Sequence, residues 1–153
     1  MLYIFDKDGT IIASYGNRPA NTIEEQHLLP GVGEKCAELR AQGHHLAVAS
    51  NQGGVAFGFI TNDQARALVA HAARLIGTKD YAYCPHHPKG TDPIHGIACG
   101  CRKPQPGMIL QLILRNGIAA SDTIVVGDRD TDRQAAEAAG AHFIHADKFF
   151  ERS

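Results

Sequence analysis

Two acidic side chains directly follow a short apolar run early in the sequence. Asp6 and Asp8 come after the run Leu2–Phe5, and Gly9 lets the backbone turn sharply behind them. In an open α/β sheet, ligands bind beyond the carboxyl ends of the strands, which is where this pair would lie. One carboxylate can attack as a nucleophile and ligate a cation while the other transfers a proton. The alternative is a solvated Asp-x-Asp-Gly turn, and the motif alone leaves both interpretations open.

A second group of polar side chains follows the next predicted strand, Leu46–Ala49. Ser50 and Asn51 stand there, and two glycines at 53 and 54 expose backbone N–H groups. Hydroxyl, amide and backbone donors at a strand end suit the oxygens of a phosphoryl group. Taken alone, the stretch is equally typical of an ordinary turn.

Two further segments contribute fixed charges. Arg102 and Lys103 precede a predicted helix, and Asp128 follows the strand Thr123–Val126 after a glycine. Asp128 stands where it could complete a cation site with Asp6. The alternative makes Lys103 a surface lysine, and explains the acids that follow Asp128 by their favourable position at a helix N-terminus.

Three of the four cysteines lie in a loop, residues 84–104, that has no helical or strand periodicity. A loop of that length in a compact domain is usually functional or held by something. Two ligand pairs, each of the form ligand-x-ligand, are separated by twelve residues and make a Cys₃His set typical of closed structural zinc. The spare imidazoles of His87 and His95 could compete as ligands, and incidental thiols are the alternative. The four candidate zinc ligands are Cys84, His86, Cys99 and Cys101.

Short apolar runs alternate with helical patterns along the chain, which predicts a parallel α/β sheet. Thr61 and Gln64 form a capping-box pattern at the start of a helix that ends at Gly77. The other predicted helices are Val32–Gln42, about Pro106 to Gly117 and about Asp132 to Ala139. The predicted strands are Leu2–Phe5, Leu46–Ala49, Thr123–Val126 and Ala141–His145.

Length and composition predict one domain, residues 1–153, with 44% hydrophobic residues and a formal net charge of −1. That balance supplies no basic surface for nucleic acid or for an anionic membrane. No apolar run approaches the roughly 20 residues that span a bilayer, and no signal peptide opens the sequence. We therefore expect a cytoplasmic monomer that does not bind membranes.

The order of the motifs is more specific than any one of them. Asp-x-Asp-Gly-Thr, Ser-Asn, Lys-Pro and Gly-Asp-x-x-x-Asp follow one another, each after a predicted strand or before a predicted helix. This arrangement resembles the haloacid dehalogenase superfamily of phosphotransferases across nearly the whole chain. The resemblance implies a Rossmann-like, doubly wound parallel sheet. The intervals between motifs, about forty and about fifty residues, are filled by core elements and the zinc-clamped loop, so no cap domain fits. The mouth of the site should then be open and shaped by loops 11–22, 53–60 and 85–100.

The resemblance also implies roles for the site residues. Asp6 would become an aspartyl-phosphate, and Asp8 would protonate the leaving oxygen and then activate water. Mg²⁺ would be held by the Asp6 carboxylate, the Asp8 carbonyl and Asp128. Asp132 would orient a metal-bound water or act only structurally. The remaining residues with implied roles are Ser50, Asn51 and Lys103 for the phosphoryl group, Arg102 and Arg129 facing the substrate, and His86 as the imidazole ligand of zinc.

Within the superfamily, stretches 50–58, 84–88 and 99–108 resemble the heptose bisphosphate phosphatases, whereas 127–132 is more similar to the histidinol-phosphate phosphatases. Phe57 and Arg129 depart from the heptose pattern, which has a basic residue and a lysine there. We expect a small phosphorylated metabolite as the substrate, a heptose bisphosphate first and histidinol phosphate second. A polynucleotide 3′-phosphatase and an inactive zinc-bound scaffold are the further alternatives. The absent basic stripe argues against the first, and the retained acids and Lys103 argue against the second.

Overall fold

A computed structural model describes residues 1–152 of the chain. Its centre is one five-stranded sheet in the order β3-β2-β1-β4-β5, and every neighbouring pair of strands is parallel. The predicted doubly wound parallel sheet is therefore confirmed. The strands are β1 (Leu2–Phe5), β2 (His45–Asn51), β3 (Tyr81–Cys84), β4 (Thr123–Gly127) and β5 (His142–His145).

Five α-helices connect or follow these strands. The capping box at Thr61 is present: its hydroxyl accepts from the Gln64 N–H at 3.1 Å, and the Gln64 side chain accepts from the Thr61 N–H at 2.8 Å. Two short 3₁₀ turns lie at Gly53–Val55 and Ala120–Asp122. The helices are α1 (Val32–Ala41), α2 (Asn62–Leu75), α3 (Gly107–Asn116), α4 (Asp130–Ala139) and α5 (Ala146–Phe149).

Four elements differ from the sequence prediction. β2 ends at Asn51, two residues later than predicted, so Ser50 and Asn51 are its last residues instead of following it. β3 was not predicted, because it is only four residues long and lies at the edge of the sheet, where alternate residues are partly exposed. α5, equally short, was also not predicted. α4 begins two residues earlier than expected, at Asp130. The Asp132 carboxylate accepts from the backbone N–H of Arg129 at 3.2 Å and closes the first turn.

The core has two layers, one on each face of the sheet. Leu2 and Ile4 of β1 point into one layer, and Phe5 points into the other, as the period of two along a strand requires. All three side chains are fully buried. Burial on both faces explains why the central strands are continuously apolar in sequence.

The parallel sheet brings the chemical motifs to one edge. Phe5, the last residue of β1, is level with Val48 in β2 and with Val126 in β4. The residues that follow these strands therefore leave the sheet side by side. Within residues 1–152, no helix has the length and apolar character needed to cross a membrane.

Candidate active site

Three carboxylates meet at the carboxyl edge of the sheet. One oxygen from each of Asp6, Asp128 and Asp132 lies within 4.8 Å of the others. The hydroxyl of Thr10 joins the first two, donating to Asp6 Oδ2 at 3.2 Å and lying 3.5 Å from Asp128 Oδ1. Gly9, with φ of 83°, packs so closely that an added Cβ would lie 2.5 Å from Asp128 Oδ2. The turn after β1 therefore needs a glycine both for its conformation and for space.

Lys103 is the buried cation of this cluster. Its side chain is 4% exposed, and its Nζ lies 2.8 Å from Asp6 Oδ1, 2.7 Å from Asp132 Oδ1 and 3.0 Å from the carbonyl of Ala49. Burial by itself lowers the pKa of Lys103, but the charges of Asp6 and Asp132 outweigh it and raise that pKa to about 12. The lysine is therefore charged at any physiological pH.

One lysine does not neutralise three carboxylates. Burial, followed by the neighbouring charge of Asp6, raises the pKa of Asp128 to about 6. Burial also raises the pKa of Asp132, although Lys103 opposes that shift. An excess of negative charge on oxygen ligands is the environment that a hard divalent cation fits. The cluster also contains the Asp132 side chain, for which the sequence analysis left open a role beside the metal or a structural one, and the predicted Asp8 carbonyl ligand stays a prediction.

Asp8 belongs to a different pair. Its Oδ1 accepts from the Nζ of Lys7 at 2.7 Å, and the Lys7 side chain is 1% exposed. Both Asp6 and Asp8 line the same cavity. Sequence analysis gave no role to Lys7, because nothing in the motif indicates that this lysine is buried beside Asp8.

The last residues of β2 and the turn that follows lie against the backbone of Lys103. Asn51 donates from Nδ2 to the Lys103 carbonyl at 3.2 Å and accepts from its N–H at 2.9 Å, so one amide pairs with both backbone groups. Ser50 is 1% exposed, and its hydroxyl accepts from Gln52 Nε2 at 2.7 Å. Asn51 and Gln52 line the cavity. Gln52 is a site residue that sequence reasoning missed, since nothing in the neighbouring sequence indicates that its side chain is buried against Ser50.

The four candidate zinc ligands lie together, as their spacing predicts. Cys84 Sγ is 2.7 Å from Cys101 Sγ and 3.4 Å from Cys99 Sγ, and His86 Nδ1 is 3.6 Å from Cys84 Sγ. Three thiols and one imidazole within 4.8 Å of one another are a donor set that suits tetrahedral zinc. The fourth cysteine, Cys36, is buried in α1 away from this cluster.

A cavity of about 760 Å³ opens above the carboxylates. Arg102 and Arg129 line it, and the guanidinium of Arg102 is so close to Gly53 that an added Cβ there would lie 2.9 Å from Nη1. Loop residues 14, 16–21, 51–54, 57, 59, 60 and 87 line the remainder, close to the loops expected to shape the mouth.

One wall of this cavity is aromatic. Phe57 stacks on Phe59 with ring centroids 5.8 Å apart, and its other neighbour is His87 at 4.9 Å. Phe59 is 79% exposed. We call these three residues the aromatic wall. It offers a flat surface to the part of a ligand that projects from the cavity.

A parallel sheet with paired acids after its first strand, a buried lysine and a third acid after β4 defines a haloacid dehalogenase-like hydrolase. The family model described as HAD-hydrolase-like matches residues 100–147, the part of the chain from the zinc cluster to β5. This class agrees with the resemblance found in the sequence.

Longer matches identify the family more closely. The chain is 36% identical over 140 residues to a D-glycero-β-D-manno-heptose-1,7-bisphosphate 7-phosphatase from Rhodopseudomonas palustris, covering 88% of this chain and 77% of that one. The enzyme of the same name from Escherichia coli K12 is 36% identical over 139 residues, covering 88% and 72%. This chain belongs to the same family of haloacid dehalogenase-like phosphatases, which confirms the predicted phosphatase.

A crystal structure of a related protein agrees with this assignment. The D,D-heptose 1,7-bisphosphate phosphatase from B. bronchiseptica, complexed with magnesium and phosphate, has a TM-score of 0.77 and 28% sequence identity to this chain. The match covers 93% of this chain and 78% of that one. The shared fold therefore extends over nearly all of the residues described here.

Proposed function

We propose that this chain is a Mg²⁺-dependent phosphatase that removes the 7-phosphate of D-glycero-β-D-manno-heptose 1,7-bisphosphate through an aspartyl-phosphate on Asp6. The observation that carries the proposal is the cluster at the carboxyl edge of the sheet, in which the partly exposed Asp6 and Asp128 meet the buried Asp132 and Lys103. The substrate is taken from the names of the relatives, which are more than a third identical.

The chemistry proceeds in two displacements at phosphorus. A carboxylate oxygen of Asp6 forms a bond to phosphorus while the ester P–O bond breaks, and Asp8 donates its proton to the leaving oxygen. Asp8 then takes a proton from water, whose oxygen attacks phosphorus, releases inorganic phosphate and restores Asp6. Lys7 holds the Asp8 side chain between these steps.

The charge of the phosphoryl group is met by fixed donors. Lys103 supplies a cation whose position is set by Asp132 on one side and by Asn51 through its backbone on the other. Mg²⁺, held by the Asp6 carboxylate, the Asp8 carbonyl and Asp128, would neutralise charge on the phosphoryl oxygens. Ser50 is buried, and its hydroxyl holds the side chain of Gln52, which lines the cavity; its predicted direct contact with the phosphoryl group stays a prediction. Arg102 and Arg129 line the cavity and would face the distal part of the substrate.

Zinc at the cysteine cluster is the second metal of the proposal, and its role is structural. Cys101 is followed directly by Arg102 and Lys103, so the clamp also positions both cations. Reduced thiols, including Cys36 outside the cluster, fit a reducing compartment, which supports a cytoplasmic enzyme. That residues 1–153 form one domain and act as a monomer remains part of the proposal.

Cys101→Ser is expected to lose zinc, to lower the free energy of unfolding by at least about 2 kcal/mol and to lower kcat. Elemental analysis of protein purified without added metal should find one zinc per wild-type chain, and Cys36→Ala is the control that removes a thiol outside the cluster. Less than half an equivalent of zinc in the wild type, with full activity after chelation, would rule out the structural zinc.

Histidinol phosphate is the second candidate substrate, and the aromatic wall favours it. Phe57 packs against both His87 and Phe59 in this wall, and the largely exposed Phe59 ring leaves a face on which an imidazole could stack. A bisphosphate instead needs a cation for its second phosphate. Arg129 can supply one, because a guanidinium can fork onto two phosphate oxygens.

Phosphate release over a panel of substrates tests the proposal. We expect kcat/KM for the heptose bisphosphate to exceed that for histidinol phosphate and for a 3′-phosphorylated oligonucleotide by at least about tenfold, or ~1.4 kcal/mol in the transition state. A preference for histidinol phosphate would establish the second candidate. Equal hydrolysis of all monophosphates would leave only a general phosphatase.

A further inference from the structure

The guanidinium group of Arg152 contacts the turn that follows the catalytic acids. Its Nη1 lies 3.5 Å from the carbonyl of Gly9, and its Nη2 donates to the carbonyl of Thr10. More than 140 residues separate these partners in sequence. Thr10 is fully buried, so its carbonyl has little access to water and gains a charged donor from Arg152.

The segment 146–152, which we call the strap, delivers this side chain. Its Phe150 is 8% exposed and stacks on Phe5 of β1 with centroids 5.9 Å apart. The backbone N–H of Arg152 donates to the carbonyl of Asp147 at 2.7 Å. The guanidinium carbon of Arg152 lies 4.7 Å from the Phe150 ring centroid, so a cation–π contact orients the side chain as well.

Burial of a charged guanidinium group is unfavourable by itself, so the contacts of Arg152 must offset its loss of hydration. Burial lowers the pKa of Arg152, and the charges of Asp147 and Asp128 act in the opposite direction. Its Nε is buried and has no hydrogen-bond partner within residues 1–152. Among residues 1–152, the two Nη contacts to the turn are therefore the hydrogen bonds of its guanidinium group.

The turn contacted by Arg152 also contacts two of the three carboxylates. The Thr10 hydroxyl contacts both Asp6 and Asp128, and Gly9 packs directly against the carboxylate of Asp128. A shift of the turn would therefore change the position of Asp128 relative to Asp6. Arg152 itself does not line the cavity above them.

We propose that Arg152 is a positioning residue for the phosphatase reaction. By holding the carbonyls of Gly9 and Thr10, it keeps Asp6 and Asp128 at the separation needed to bind a divalent cation together. The reaction is the one proposed above, so the proposal rests on that function, but cation binding can be measured without turnover.

Arg152→Met removes the donors and the charge while keeping most of the side chain's length. We expect kcat to fall by about 10- to 100-fold, the range in which small misplacements of reacting groups lower rates, with KM changed less than about twofold. The dissociation constant for Mn²⁺, measured by electron paramagnetic resonance without substrate, should rise at least about fivefold. Arg74→Met, at an exposed arginine in the last turn of α2, is the matched control and should change neither quantity.

Two further variants separate positioning from folding. Arg152→Lys keeps one cationic donor group and should recover part of both losses. Arg152→Ala should regain activity and Mn²⁺ affinity when ethylguanidinium is added, because the added ion can replace the missing group.

Suppose that Arg152→Met has a lower melting temperature but, well below that temperature, the same kcat and Mn²⁺ affinity as Arg74→Met. Arg152 would then only stabilise the fold, and the proposal would be overturned. If the wild-type chain hydrolyses no phosphate ester, the proposed function fails. The Mn²⁺ affinities of the variants still decide the role of Arg152 in that case.

Discussion

Asp6→Asn is expected to lower kcat by at least about 1,000-fold, or ~4 kcal/mol in the activation free energy, because an amide cannot replace the attacking carboxylate. The change is nearly isosteric: the amide oxygen can still accept from Lys103, the amide nitrogen can donate to the Thr10 hydroxyl, and Lys103 keeps its ion pair with Asp132, so the fold should remain intact. Steady-state kinetics and circular dichroism of the purified variant measure the two effects. Asp63→Asn, at an acid whose side chain is 88% exposed, is the control and should keep wild-type kcat.

The covalent intermediate gives a sharper test of the same assignment. With an aryl phosphate, whose leaving group needs no proton, Asp8→Asn should still be phosphorylated and should release phosphate slowly. Intact-mass spectrometry should then find one phosphoryl group in Asp8→Asn and none in the double variant with Asp6→Asn. Retention of more than about a tenth of wild-type kcat by Asp6→Asn, a loss under ~1.4 kcal/mol, would show that Asp6 is not the nucleophile.

Lys103→Met should have the second largest effect, and it should lower both activity and stability. The substitution leaves Asp6 and Asp132 without the cation that lies within 2.8 Å of each. Breaking a buried ion pair by removing one partner costs about 3–5 kcal/mol. We expect kcat to fall at least about 1,000-fold, because the phosphoryl group also loses its fixed cation. Urea unfolding and steady-state kinetics measure the two losses, and Lys79→Met, at an exposed lysine, is the control.

The pH dependence of this stabilisation follows from the raised pKa of Lys103. The pKa rises from 10.5 to about 12 on folding, so the stabilisation is fully present below about pH 10.5. It is lost as the pH increases through about 12. The stability difference between wild type and Lys103→Met should therefore stay constant between pH 6 and pH 9 as far as Lys103 is concerned. If the activity and the unfolding free energy of Lys103→Met both match those of Lys79→Met, the ion pair has no such role.

Local patterns in the sequence were enough to predict most of the fold and the outline of the site. The four predicted strands and four predicted helices are present. Apolar residues that repeat every two or every 3.6 positions, and a capping box, are patterns of neighbouring residues, so they can be recognised in the sequence alone. The order of motifs placed Asp6, Asp128 and Lys103 at strand ends or before a helix. Parallel strands bring such positions to one edge of the sheet, so their proximity could be expected before any distance was known.

The zinc cluster could be predicted only in part from the sequence. Each ligand pair, Cys84 with His86 and Cys99 with Cys101, is separated by a single residue, and that spacing is visible in the sequence. The strand that carries Cys84 is not visible, because β3 is short and its backbone hydrogen bonds are to β2, more than 30 residues earlier. Edge strands depend on a partner strand that their own residues do not specify.

Only the tertiary structure decided how the polar groups of the site contact one another. Asn51 and Lys103 are 52 residues apart and share two hydrogen bonds, whereas Arg152 reaches Thr10 from 142 residues away. Lysine, asparagine and arginine are ordinary surface residues in sequence, and nothing in their neighbours records that Lys7 or Lys103 is buried. Their roles arise from contacts between distant parts of the chain, which form only when the sheet brings its strand ends and the strap together.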